Sequence, residues 1–190
     1  TADTLERVSR HADRAVIAFF PSYDYASVIK EYLEVRHPCL RVHALPRDID
    51  PRDQTTYLLD RIDTSDVICL PLGGSLSEGI DALGGRVDTV VVVGPALPEV
   101  NAIQSAKAEA FTRGSDAFRS VYLIPGITKV NQALGRLVRG PSHRARVLLH
   151  CERFAQPDVR ALLCPEYQDA RIVRSESDLD AWLSADGGEL

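Results

Sequence analysis

Continuous apolar runs, each cut short by proline, glycine or a polar turn and each followed by a helix-patterned stretch, constrain this chain more than any other feature. Ala15-Val16-Ile17-Ala18-Phe19-Phe20 stops at Pro21, Val67 to Leu72 runs into Gly73-Gly74, and the β-branched stretch Asp88 to Val93 ends at Gly94-Pro95. Arg146 to Leu149 is a further run of this kind. Unbroken rather than alternating hydrophobicity marks a strand covered on both faces, as in a parallel sheet. The intervals have helix punctuation. Ser22 and Asp24 are N-cap candidates for a helix through Val28, Ile29 and Leu33, and Pro51 suits the first turn of a helix to about Ile62. Residues 1 to 13 read as a helical lead-in with Leu5 and Val8 on one side, 99 to 112 as a surface helix, and Ser175 as the cap of a helix docked by Leu179 and Trp182. Leu40 to Leu45, Ser120 to Leu123 and Ala170 to Val173 are further extended candidates, and Pro125 is expected to open a long helix. Strands alternating with helices predict an α/β fold, a mostly parallel sheet with helices on both sides. With 190 residues, 45% of them hydrophobic and 26% charged, the chain fits one domain (1–190) with a real core. It contains no internal repeat, no low-complexity tract and no apolar run near the ~20 residues a membrane span needs.

The helix after Pro125 carries the most suggestive chemistry. Gln132, Arg136 and Arg139 stand at i, i+4 and i+7, so one face presents an amide and two guanidiniums, while Ala133, Leu134, Leu137 and Val138 form the apolar stripe. Gly135 leaves room at the backbone beside the first arginine. Such a cluster suits an anion such as a triphosphate, although a bare R-x-x-R pair is more often a solvated helix face. Gly73-Gly74 sits where a strand delivers the chain into a loop, a usual ligand position in open α/β sheets. Ser75 with Glu78 there has the S-x-x-E form of a capping box. A G-x-x-x-x-G-K-[ST] loop and a DEAH-type acidic box are both missing, and the only lysines are Lys30, Lys107 and Lys129. The chain therefore cannot cradle a nucleotide unaided. Its net charge of −5 argues against a broad basic nucleic-acid surface but not against a groove with local positive charge. Cys39, Cys69, Cys151 and Cys164, like the histidines, lack metal-ligand spacing, so no metal site is expected.

The segment Gln132 to Arg139 resembles motif VI (QxxGRxxR) of superfamily 2 helicases in its Rad3/XPD/DinG form. Phe19-Phe20-Pro21-Ser22-Tyr23 resembles motif IV, and Gly73-Gly74-Ser75-Leu76-Ser77-Glu78-Gly79-Ile80-Asp81 resembles motif V, in the family's order. Glu152-Arg153-Phe154 and Leu163-Cys164-Pro165-Glu166-Tyr167 echo two later blocks, so the likeness runs from about residue 14 to 167. It implies a RecA-like, P-loop NTPase-type three-layer sandwich without its own Walker A, the second motor domain of a DNA helicase moving 5′→3′. The ATP-binding half, with any iron–sulfur cluster, would lie outside this chain, which also lacks a starting methionine and reads as a fragment inactive alone. By the same resemblance Arg139 and Arg136, with Gln132, would be catalytic. Gln132, Gly135, Arg136, Arg139, Glu78, Gly79 and Asp81 would contact ATP, whose Mg²⁺ is shared with the N-terminal RecA-like domain. Ser22, Tyr23, Gly73, Gly74 and Ser75 would border single-stranded DNA. The compartment implied is cytoplasmic in a prokaryote and nuclear in a eukaryote, with no membrane partner.

Several positions depart from the family pattern: Ser75 for lysine, Ala82 for phenylalanine, His143 and Cys151 for aspartate, and Ala145 for glycine. The nucleotide-facing set is intact, whereas the missing lysine removes one phosphate contact on the DNA side. The alternative is a diverged RecA-like module that binds DNA or a protein without ATP turnover. A dinucleotide-binding oxidoreductase is disfavoured because the Gly73 loop lacks G-x-G-x-x-G spacing.

Overall fold

The runs that are apolar without alternation become the strands β1 (Val16–Phe20), β2 (Val42–Ala44), β3 (Val67–Pro71), β4 (Thr89–Val92) and β5 (Arg146–Leu149). In the computed structural model, which describes residues 1–72, 77–111, 117–137 and 143–185 (without the side chains of 77–79), they form one parallel sheet in the order β2-β3-β1-β4-β5. Ala18 lies opposite Cys69 on one side and Val91 on the other, which fixes the register of the three central strands.

Helices cover both faces. They are α1 (Ala2–Ser9), α2 (Tyr23–Arg36), α3 (Gln54–Ile62), α4 (Ser77–Leu83), α5 (Ala102–Glu109), α6 (Ile124–Leu137), α7 (Pro157–Arg160), α8 (Pro165–Gln168) and α9 (Glu176–Ser184). Because successive strand side chains point to opposite faces, Ile17, Phe19, Ile68, Leu70, Val90 and Val92 pack in one core with Leu58, Ile80, Ile127 and Leu134 of α3, α4 and α6. Val16, Ala18, Phe20, Val67, Cys69 and Val91 pack in the other with Leu5, Leu33 and Leu179 of α1, α2 and α9. The three-layer α/β sandwich is therefore present as the sequence implies. Cys69 lies wholly in the second core, where burial pushes its thiol pKa up to about 12, so it behaves as a small apolar residue. Two expected caps form: Ser22 accepts from the Tyr25 N–H at 3.2 Å, and Ser175 from the Asp178 N–H at 3.1 Å.

Other expectations are corrected. Ser120 to Leu123 is not extended: residues 119–123 form a π-helical turn running directly into α6, where Ile124 N–H reaches back to the Arg119 carbonyl. Pro125 lacks an N–H and its ring crowds the preceding turn, and a widened turn accommodates both. Proline therefore lies within this helix instead of opening it. Ala170 to Val173 forms no strand, because Arg160 holds the Gln168 carbonyl from Nε at 2.8 Å and Arg174 N–H donates to Asp178 at 3.3 Å. These ties fix the segment without the edge of β5. Pro51 lies in the turn before α3, and the surface helix is shorter than expected, starting at Ala102 behind an Asn101 cap.

After β1 the chain passes to the α2 face, and after β4 it passes to the α6 face, so the sheet reverses direction between these neighbours. The carboxyl ends of β1 and β4 thus form a topological switch point, where ligands bind in open α/β sheets. Val93 N–H donates to Phe19 O there at 2.8 Å.

Candidate functional site

Helix α6 spans the sheet from rim to rim. At its start Gly126 lies so near Ala96 that an added Cβ would stand 3.3 Å from that residue's backbone and 3.0 Å from a Leu97 methyl. At its end the Leu137 carbonyl accepts from Gly85 N–H at 3.4 Å, in the turn before β4, where Gly85 takes a φ of 79°. α4 packs beside α6. Its residue Asp81 faces Arg136, with 3.6 Å between the Asp81 Oδ2 and Arg136 Nη1 atoms. Both side chains keep about two-fifths of their surface in solvent, 38% for Arg136 and 42% for Asp81. A pair this open contributes about 0–1 kcal/mol. Gln132 is exposed one turn earlier on the same side, and nothing lies within 4 Å of a Cβ placed on Gly135. Gln132, Gly135, Arg136 and Asp81 therefore share one open corner where α4 meets α6.

Not every residue singled out in the sequence falls within view. Arg139, Gly73, Gly74 and Ser75, with the expected capping box, lie outside the described residues. Glu78 and Gly79 are placed in α4 by their backbone alone. Ser22 and Tyr23 lie at the opposite, carboxyl rim of the sheet from Arg136. The Ser22 hydroxyl is engaged as a cap, and Tyr23 is half-buried against the α3/α4/α6 core with the Arg47 guanidinium 5.6 Å over its ring. Arg47 is itself held by Asp24 at 2.7 Å. A base stacking on Tyr23 would have to displace that arginine.

Other side chains matter that the sequence pattern does not single out. Asn131 donates to the Leu162 carbonyl at 2.8 Å and accepts from Cys164 N–H at 3.2 Å, tying α6 to the closing Leu163–Tyr167 block. Leu163 and Phe154 sink into the core beneath it. At the carboxyl rim Phe118 and Tyr122 stack with ring centroids 5.8 Å apart, and the Arg153 guanidinium lies 5.9 Å over the Phe118 ring. Their i, i+4 spacing is a helical signal that an extended Ser120 to Leu123 would not carry. His150 and His43 have pKa values lowered chiefly by burial, His43 with help from Arg61. Among the described residues no three His, Cys, Asp or Glu side chains gather as a metal site, and no helix is long and apolar enough to cross a membrane.

Comparison with known proteins places this geometry in context. The helicase C-terminal domain family matches residues 5–169. The chain is similar to ATP-dependent DNA helicase CHL1 of Yarrowia lipolytica, 22% identical over 194 residues, covering 85% of this chain and 24% of the relative. It is also similar to ATP-dependent DNA helicase chl-1 of Caenorhabditis elegans, 23% identical over 182 residues, covering 91% and 22%. The chl1 helicase of Aspergillus clavatus is 26% identical over 208 residues, covering 87% and 27%. The chain thus spans about a quarter of the length of these curated relatives. Among solved structures an XPD helicase superposes with a TM-score of 0.66 at 23% identity, over 85% of this chain and 29% of that one. The S. tokodaii Xpd4 structure gives 0.57 at 15% identity, over 87% and 32%. At such identities the structural likeness shows the shared RecA-like fold.

Proposed function

The chain belongs to the helicase C-terminal domain family, in its XPD/CHL1-type branch, and from that premise we propose that it is the second motor domain of an ATP-dependent DNA helicase. The observation that carries the proposal is the half-exposed Arg136, aimed by Asp81 into an open corner beside Gly135. A surface ion pair of this kind exchanges its carboxylate for a phosphate at little energetic loss, since both present paired oxygens to a planar guanidinium. The described residues fit a nucleotide's outer phosphates: Gln132 supplies an amide, Arg136 supplies positive charge, and Gly135 supplies clearance; Arg139 is proposed to add a second charge. Asp81 of α4 borders the same corner, and in this reading Glu78 and Gly79 would also contact the nucleotide.

In this reading ATP with its Mg²⁺ is bound mainly by a separate N-terminal RecA-like domain and supplies the phosphoanhydride whose hydrolysis drives movement. The role of this chain is electrostatic. Phosphoryl transfer leaves little covalent work to the protein, so fixed positive charge at the γ-phosphate accounts for most of its help. Closure of the two domains would bring Arg136 and Arg139 to that charge, and opening after hydrolysis would withdraw them. α4 starts just beyond the carboxyl end of β3 and ends near Arg136, so it physically connects the expected strand-binding rim with the nucleotide corner. Ser22, Tyr23, Gly73, Gly74 and Ser75 would border single-stranded DNA.

The test is ATP turnover by the full-length protein carrying Arg136→Ala or Arg139→Ala. Loss of an arginine acting on the γ-phosphate lowers turnover by about 10³- to 10⁵-fold, or roughly 4 to 7 kcal/mol. A module that binds without hydrolysis has no turnover to lose, and an unchanged rate in both variants would refute the assignment.

A further inference from the structure

We propose that Phe118, Tyr122 and Arg153 form a base-stacking platform for single-stranded DNA at the carboxyl rim of the sheet, a deepening that rests on the helicase reading. Phe118 leaves 45% of its surface in solvent although it is a large apolar side chain. Its ring is neither buried nor loose: it stacks on Tyr122 at an interplanar angle of 25° and lies under Arg153. Rings held in this way lose little freedom on binding, and a base joining the stack would take the place of the Arg153 guanidinium over Phe118, as it would that of Arg47 over Tyr23. The backbone beneath is the π-helical turn 119–123, and such turns recur at functional sites.

The position fits the same ligand. Gly126 of α6 abuts Ala96, just past the end of β4, so Phe118, two turns earlier, overhangs the carboxyl rim. Arg153 follows the carboxyl end of β5. Across that rim the strand order places the exits of β3, β1, β4 and β5 side by side, so a strand bordering Ser22 and Tyr23 would reach the platform next. Beside it lies an open cleft of about 480 Å³, lined by Pro98, Phe111, Val121 and Pro125, and among the described residues lining it Lys107 is the one that is charged. An aromatic stack edged by cations fits a polyanion whose bases offer π-faces.

The experiment compares the full-length protein with its Phe118→Ala, Phe118→Trp and Arg153→Gln variants, using oligo(dT) and an abasic strand of equal length. Base stacking on a single aromatic is worth about a 5- to 150-fold change in affinity. Phe118→Ala is expected to lose that factor on oligo(dT) while binding the abasic strand as before. Phe118→Trp is expected to retain it and to show fluorescence quenching by bound dT. Arg153→Gln is expected to lower the salt slope of binding by about one. An unchanged ratio of oligo(dT) to abasic affinity in Phe118→Ala overturns the platform. So does a fall in melting temperature with unchanged DNA affinity, which would mark the patch as a contact with another part of the protein. Failure of the helicase reading is read separately: absence of ATP turnover in the unaltered full-length protein would sink that reading whichever way the Phe118 ratio moves.

Discussion

Two arginine pairs join helices across this sandwich, and they are built differently. On the face covered by α1, α2 and α9, Arg7 grips Asp180 with two bonds from Nη1, at 2.7 and 2.9 Å, and Glu176 with a third at 2.7 Å. The hydrogen bond to Asp180 raises its already high pKa further. On the other face Arg136 meets Asp81 at 3.6 Å, in the corner between α4 and α6. The first arrangement satisfies the guanidinium fork and clamps α9 to α1. The second sets a half-exposed guanidinium beside a half-exposed carboxylate at longer range. On the function proposed for Arg136, a charge held for stability and a charge proposed for chemistry differ in geometry more than in residue type.

The same contrast recurs along α6, where adjacent residues take the two roles. Asn131 turns toward the closing block and bridges Leu162 and Cys164, while Gln132 faces the open corner. Asn131→Ala would strand a carbonyl and an N–H, at about 1–3 kcal/mol. Its largest effect should therefore be a drop in unfolding free energy, measured by denaturant titration, whereas Gln132→Ala should leave stability near the wild-type value. Equal losses in both would erase the distinction.

A somewhat smaller effect separates the glycines of the same helix. Gly135 has open space around it, so Gly135→Ala should stabilise by about 0.8–1 kcal/mol through helix propensity. If its openness serves a nucleotide, ATP turnover should fall in that more stable variant. Gly126→Ala has the opposite sign, because its Cβ would press on Ala96 and Leu97. A Gly135→Ala protein that is both more stable and fully active would contradict the proposed approach of the nucleotide.

The smallest effect concerns pH. His150, at the end of β5, and His43, in β2, have pKa values lowered by burial below the ordinary 6.5. Below about pH 6.5 the unfolded chain takes up protons that the folded chain refuses, so stability is full above that value and declines as pH falls toward the folded pKa values. His150→Gln should flatten the fall in melting temperature between pH 7.5 and 5.5. Both arginine pairs should persist through that window, so a collapse of the Arg7 clamp there would point to a different cause.

The sheet was legible because a strand buried on both faces has a continuous apolar run, and four of the five strands carried one. Leu40 to Leu45 was shorter in fact than in prospect, since only Val42 of β2 is fully covered. The π turn before Pro125 could not be read, because proline's usual meaning is a helix start and only tertiary packing on both sides keeps this helix going. The missing strand at Ala170 to Val173 has the same origin: its backbone partners are chosen by Arg160 and Asp178, which lie elsewhere in the chain. Of the candidate site, the facing of Arg136 and Gln132 followed from helical spacing alone. Asp81 as the partner of Arg136 did not, since it depends on α4 packing against α6.

The central claim is that Arg136 is placed for a phosphate and not for the fold. The most direct test measures ATP turnover and melting temperature together for Arg136→Ala and Arg7→Ala in the full-length protein. Turnover should fall by about 10³-fold or more in Arg136→Ala with its melting temperature unchanged, while Arg7→Ala should lose a little stability and keep its rate. Wild-type turnover in Arg136→Ala, or a loss there that merely tracks unfolding, would contradict the account.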